Sequence, residues 1–178
     1  MISLIQSRQN HYERLKAMRA LPSQSLDSKI IKVWRISAII SAVVLFIFLA
    51  IGWAVLVFAL ELNPVLIALI VLTLLILYLV LELFILPKLR YSRWKYEVNT
   101  TEIDILRGIF WRTRTVIPLV RVQNVETNQG PIMRNFGLSE VEIFTAGSSY
   151  TIPGLDRETA DQLRDRVAVL ARIAQEDV

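Results

Sequence analysis

An uncharged apolar stretch that doubles back on itself constrains this chain more than any other feature. Ile36 to Leu60 contains no Asp, Glu, Lys or Arg. The residues Glu61-Leu62-Asn63-Pro64 follow. Val65 to Leu81 is apolar again, and after Glu82 the run resumes to Leu86. The hydrocarbon core of a bilayer is about 30 Å thick, and a helix needs about 20 apolar residues to cross it. Both segments are long enough, the second provided that Glu82 sits near the interface. The pattern predicts two antiparallel membrane-spanning helices, about 36–60 and 64–86, joined by a very short turn. Signal-peptide cores are shorter, about 7 to 15 residues, and end in a small-residue cleavage site. The first span therefore reads as a retained anchor.

Charge sets the expected topology. Arg8, Arg14, Lys16, Arg19, Lys29, Lys32 and Arg35 precede the hairpin, against Glu13 and Asp27 alone. Lys88, Arg90, Arg93 and Lys95 follow it, and the connecting turn has no basic residue. By the positive-inside rule both termini are cytoplasmic. Residues 91–178 hold 11 basic and 12 acidic side chains, so the basic excess belongs to the membrane flanks. That distribution argues against nucleic acid as a partner. The expected organisation is an N-terminal segment (1–33), a transmembrane hairpin (34–87) and a cytosolic domain (88–178).

Polar residues near the spans are few. Glu82 reads as a carboxylate that reaches headgroups and water near Lys88 by snorkelling. An intramembrane proton site is the alternative, but the first span offers it no relay partner. Ser41 can bond a carbonyl of its own helix. Ala38-x-x-x-Ala42 and Ala50-x-x-x-Ala54 have the spacing that seats a neighbouring helix, either the second span or another subunit. Asn63-Pro64 forms the turn, with Pro64 as a first helical residue. Trp34, Tyr91 and Trp94 are placed as interfacial aromatics.

The segment before the hairpin is mixed. Ile2, Leu4, Ile5, Tyr12, Leu15 and Met18 lie at loosely helical spacing with Arg14, Lys16 and Arg19 between them. That pattern fits a helix on anionic lipid, a helix docked on a partner, or a frayed tail. Leu21-Pro22-Ser23 interrupts it. Asp27 or Ser28 then caps a helix running into the first span. His11, the one histidine, reads as a surface residue.

Beyond Pro87 the hydrophobic period changes from helical to alternating. Strands are predicted over Trp94–Val98, around Ile103 and Ile105, over Trp111–Ile117, over Val120–Gln129, around Val141 and Ile143, and over Tyr150–Ile152. Turns at Asn99–Thr101, Gly108, Gly130-Pro131 and Ala146–Ser149 separate them. Short, evenly spaced strands indicate an antiparallel sandwich or barrel. A helix closes the chain: Asp156 caps it, Glu158 complements its dipole, and Ala160, Leu163, Val167, Leu170 and Ala174 form one apolar stripe. The fold class is thus a two-helix hairpin plus a pleckstrin-homology-like β-sandwich or barrel with a C-terminal helix plugging one end.

Four runs make this more specific: Ile117-Pro-Leu-Val-Arg-Val-Gln-Asn-Val-Glu126, Gln129-Gly-Pro-Ile-Met-Arg-Asn-Phe-Gly-Leu138, Phe144-Thr-Ala-Gly147 and Ile152-Pro-Gly-Leu155. Together with the hairpin and its Trp34-Arg35 flank, they resemble the bacterial pleckstrin-homology family of YdbS-like membrane proteins over roughly residues 25–172. The resemblance implies a domain of that fold beneath a bacterial plasma membrane. It also implies assembly, with itself or with a larger membrane protein carrying related domains. It implies a role in envelope defence, including tolerance of antimicrobial peptides, and no enzymatic activity.

Within the motifs, Arg121, Gln123, Asn124 and Val125 form one set, read as loop bracing ahead of ligand contact. Gln129, Gly130, Pro131, Phe136, Gly137 and Leu138 form a second, with the glycines and proline as turn punctuation around a short helix over Ile132–Phe136. Ile132, Phe136 and Leu138 are expected beneath the sheet. Thr145, Ala146 and Gly147 form a third. Arg112 and Arg114 share one strand face, with Arg107 before the turn, and could clamp a lipid phosphate. The domain's near-neutral charge favours an ordinary solvated face.

Catalysis has little to draw on. The chain has no Cys and one His. It has no phosphate-binding glycine loop and no nucleophile elbow. The reading is a non-enzymatic, membrane-anchored interaction or scaffold protein without cofactor or metal. The lipid bilayer and related domains are its partners. A headgroup sensor using Arg112 and Arg114 is the alternative.

Overall fold

The computed structural model describes residues 21–60 and 63–176. The expectations for the segment 1–20, with His11, and for Glu61-Leu62 lie outside these residues.

Helix α1 runs Ile30–Leu60 and α2 runs Pro64–Val80. Asn63 caps α2: its side-chain oxygen accepts from the Val65 and Leu66 amides at 3.0 and 3.2 Å. Pro64 takes the first turn, where its missing N–H leaves nothing unpaired. Trp53 Nε1 donates to the Pro64 carbonyl at 3.1 Å, tying α1 to the start of α2. The apolar stretches Ile30–Phe58 and Pro64–Arg93 have mean hydropathies of 2.8 and 3.0 and suffice to cross a membrane. Their apolar windows are only 6% and 0% buried, unlike the core helix of a soluble domain. Ala38 and Ala42 are buried where α1 meets the second helix, whereas Ala50 is exposed.

The second helix continues past Leu86. A π-turn, Leu81–Ile85, leads into α3, Leu86–Arg93. Pro87 accounts for the irregularity. It offers no N–H to the Leu83 carbonyl, and its ring would strike that carbonyl in a regular α-helix. The π-turn widens the coil, so the Leu86 amide bonds Leu81 O. Arg35 of α1 then supplies the donor that Pro87 lacks: its Nε lies 2.9 Å from Leu83 O. Further along α3, Arg90 sits with its guanidinium 5.2 Å from the centroid of Trp34. Glu82 is half-buried in the π-turn.

The β domain has two three-stranded antiparallel sheets. The first joins β1 (Lys95–Val98), β2 (Glu102–Arg107) and β3 (Thr113–Pro118). The second joins β4 (Val122–Asn128), β5 (Leu138–Thr145) and β6 (Ser149–Asp156). A short helix α4 (Pro131–Asn135) links β4 to β5, and α5 (Arg157–Glu176) closes the chain. Tyr96, Val98, Ile103, Ile105 and Ile117 from one sheet meet Val122, Leu138, Val141, Ile143 and Ile152 from the other. α5 seals the gap with Ala160, Leu163, Val167 and Ala171, while Leu170 and Ala174 are partly buried. Asp156 Oδ2 accepts from the Glu158 amide, as its capping position predicts. This is a pleckstrin-homology-like sandwich.

Several boundaries differ from those expected, each for a local reason. β3 starts at Thr113, leaving Trp111 and Arg112 in the preceding loop. β4 starts at Val122, because Leu119–Arg121 forms a 3-10 turn after Pro118. Leu119 is fully buried and its amide bonds Thr101 O, which pins that turn. β6 runs on to Asp156 through Pro153, tolerated because β6 is an edge strand. Trp94 is a core residue, 5% exposed and edge-on to Tyr96 at 6.4 Å, and not an interfacial one. Ile132 and Phe136 are only partly buried, whereas Leu138 is fully so.

The start of α1 belongs to the β-domain core. Leu26, Ile30 and Val33 are 3%, 0% and 4% exposed. Asp27 Oδ1 accepts from the Lys29 amide at 2.7 Å, and the Asp27 amide donates to Gly154 O at 2.8 Å. Gln24 forms a two-way bridge with Tyr96 alongside β1. Gly154 has φ +62°, and Ile30 fills the space where a side chain would stand. The hairpin is therefore built into the domain through α1 as well as joined to it through α3.

Candidate functional site

The motif residues separate to different ends of the second sheet. β1 leaves α3 at Lys95, and β2 returns to it, pairing Leu106 with Lys95. The β2–β3 loop is thus near the helices, and Leu119–Arg121 is at the remote end. β4 begins there, with Val122 paired to Thr145. Arg121, Gln123, Thr145, Ala146 and Gly147 consequently meet at that remote end. With Val120, Ser148, Tyr150 and Gln175 they line a groove of about 590 Å³.

A β-bulge shapes this groove. The register passes from Val122↔Thr145 to Asn124↔Phe144, so Gln123 has no cross-strand partner. Bulges re-aim side chains, and Gln123 is turned onto the groove wall. The Thr145–Ser148 turn is closed by its own bonds: the Thr145 amide and Oγ1 both donate to Ser148 O, at 2.9 and 2.8 Å. Gln175 Nε2 bonds Val122 O at 2.8 Å, fixing α5 over the groove's edge. Arg121 and Gln123 are exposed. Their side chains make no hydrogen bond or ion pair among the described residues. The arrangement offers a cation, amides, a hydroxyl and a phenol around a shallow concavity. No group of three metal-ligating side chains occurs among the described residues.

The other motif residues brace. Asn124 is consumed locally, accepting from the Val125 amide and donating to Glu126 Oε1. Val125 is half-buried against the core. Gln129 Nε2 donates to Leu138 O at 2.8 Å, closing the excursion that contains α4. Gly130 and Pro131 start α4, and Gly137, with φ +65°, ends it. The Arg157 amide bonds Gly137 O, which connects this turn to α5.

The three candidate headgroup arginines also separate. Arg114 lies across Asp104, donating through Nε at 3.0 Å and Nη2 at 2.6 Å to Oδ2. Asp104 is 6% exposed, covered by this guanidinium. The hydrogen bond to Asp104 holds Arg114 further into its charged range. Arg112 and Arg107 flank the β2–β3 loop, with Arg112 ahead of the strand. Sequence reading missed Asp104 as the partner, the roles of Tyr150 and Gln175, and the aromatic loop itself. The loop had a signal: Phe110-Trp111 directly after the Gly108 turn.

Residues 25–171 match the family model described as bacterial PH domain. The chain is 42% identical over 162 residues to a protein of Bacillus subtilis (strain 168) described as "UPF0699 transmembrane protein YdbS". That alignment covers 90% of this chain and 100% of the relative. No solved structure matches the chain.

Proposed function

The chain belongs to the bacterial PH domain family, and from that premise we propose that it is a non-enzymatic scaffold anchored in the plasma membrane. Its termini face the cytoplasm, and its β domain assembles with a second copy or with related domains of a larger membrane protein. The groove around Gln123 carries this reading. It gathers most of the unengaged motif residues, it faces away from the helices, and it displays polar groups with no partner inside the described chain. A domain locked to its anchor through Ile30 presents that groove in a fixed orientation, which lowers the ordering cost of assembly. The complex serves envelope resistance, including tolerance of antimicrobial peptides, as the family resemblance implies.

The test is native mass determination after crosslinking in membranes at physiological expression. A discrete higher-order complex is expected; a clean monomer contradicts the proposal. Loss of the complex should also raise sensitivity to cationic peptides. The headgroup-sensor reading retains Arg107 and Arg112, since Arg114 is engaged with Asp104.

A further inference from the structure

Phe110 and Trp111 are 82% and 86% exposed, more than Phe58 on the hairpin at 81%. They are adjacent at the tip of the β2–β3 loop. The loop is not slack. Gly108 has φ +114°, and a side chain there would collide with the Trp111 carbonyl, so the chain is folded tightly back on itself. Two large rings are held out from the domain by a constrained turn.

The position of the loop indicates what covers them. It shares a groove of about 420 Å³ with Arg90 and Trp94, at the end of α3. Arg90 lies over Trp34 of α1, next to Arg35, which bonds the second helix at Leu83. The loop therefore sits where both helices leave the apolar region. Arg90 is four residues beyond Leu86, about 6 Å along a helix, which is headgroup depth. No acidic residue occurs between Asp104 and Glu126, while Arg107 and Arg112 flank the rings and Arg90, Arg93 and Lys95 lie nearby in the chain. Aromatic rings bordered by cations suit an anionic membrane interface.

We propose that the β2–β3 loop is a second membrane contact. Phe110 and Trp111 enter the interface of the same bilayer that holds the hairpin, and Arg107 and Arg112 rest on anionic headgroups. Two helices and a loop then fix the tilt of the β domain against the lipid.

The absence of cysteine makes the test direct. Single-cysteine variants of the full chain, Phe110→Cys, Trp111→Cys and Thr100→Cys, each carry an NBD fluorophore. They are reconstituted in vesicles of phosphatidylcholine and phosphatidylglycerol. At 110 and 111 the emission shifts to the blue, and most of it is lost when the lipids carry brominated acyl chains. At 100, exposed in the remote β1–β2 turn and outside the groove around Gln123, neither occurs. The lipid quenching at 111 weakens when phosphatidylglycerol is omitted. Equal access of aqueous iodide to 111 and 100 overturns the proposal. Shielding of 111 from both iodide and brominated lipid overturns it too, since protein would then cover the loop.

Discussion

Gly154→Ala tests the claim that the hairpin is built into the β domain. The new Cβ would lie 2.5 Å from Ile30 Cγ1, 2.6 Å from its Cβ and 2.7 Å from its Cδ1. A rotamer change can move the first and last of these. It cannot move Ile30 Cβ, which is fixed by the backbone of α1. Relief requires the start of α1 to lift from β6. The φ of +62° adds a second cost, about 1–2 kcal/mol for a side chain in the left-handed region. Overpacking adds about 1–3 kcal/mol, giving about 2–5 kcal/mol in all. The assay is amide hydrogen exchange on the full chain in detergent or nanodiscs. The Asp27 amide, bonded to Gly154 O, and the amides of the first turn of α1 should exchange at least about thirtyfold faster. In an Ile30→Ala background the added cost of Gly154→Ala should shrink, since two of the three colliding atoms are gone. Unchanged exchange at Asp27, or an equal cost in both backgrounds, would refute the docking.

Further expectations follow from other contacts. Arg35→Ala leaves Leu83 O without its donor, at a cost of about 1–3 kcal/mol. Adding Pro87→Ala restores a backbone N–H and should recover part of the thermal stability; a further fall in melting temperature would count against the pairing. Asp104→Ala should cost about 1–3 kcal/mol, toward the lower figure because the Arg114 side chain is 31% exposed to screening water. A cost unchanged in the Arg114→Ala background would break that assignment. Burial, then the neighbouring Glu142, pushes the Glu140 carboxyl above its usual range. A raised carboxyl pKa favours the fold below the unfolded value and loses that contribution as pH rises through the folded one. Glu140→Gln should therefore raise the melting temperature at pH 7, with the gain vanishing below about pH 4. A gain independent of pH would remove the electrostatic explanation.

The hairpin was legible because span length and charge flanks depend on composition alone, and Asn63-Pro64 marks its turn chemically. The closing helix was legible for the same kind of reason: Ala160, Leu163 and Val167 announce one face by spacing. What escaped reading depended on a partner distant in sequence. Strand parity grouped Arg114 with Arg112, but only the β2–β3 register brings Arg114 to Asp104. Gln123 read as a brace rather than a groove residue, because a bulge exists only relative to the facing strand. Ile152-Pro-Gly-Leu155 read only as a family motif at and beyond the end of the last predicted strand. Its glycine is instead the seat of Ile30, more than a hundred residues away in sequence. Trp111 was absorbed into a strand because aromatic residues favour strands, and that concealed the exposed loop.

The central claim is that the remote groove is an assembly surface, and site-specific photocrosslinking in intact membranes addresses it most directly. A benzophenone side chain replaces Gln123 or Ser148 in the groove, or Asp165, exposed on α5, as control. Positions 123 and 148 should each yield a crosslinked species of one defined mass, and position 165 should not. No crosslink from either groove position, or the same species from all three, would contradict the account.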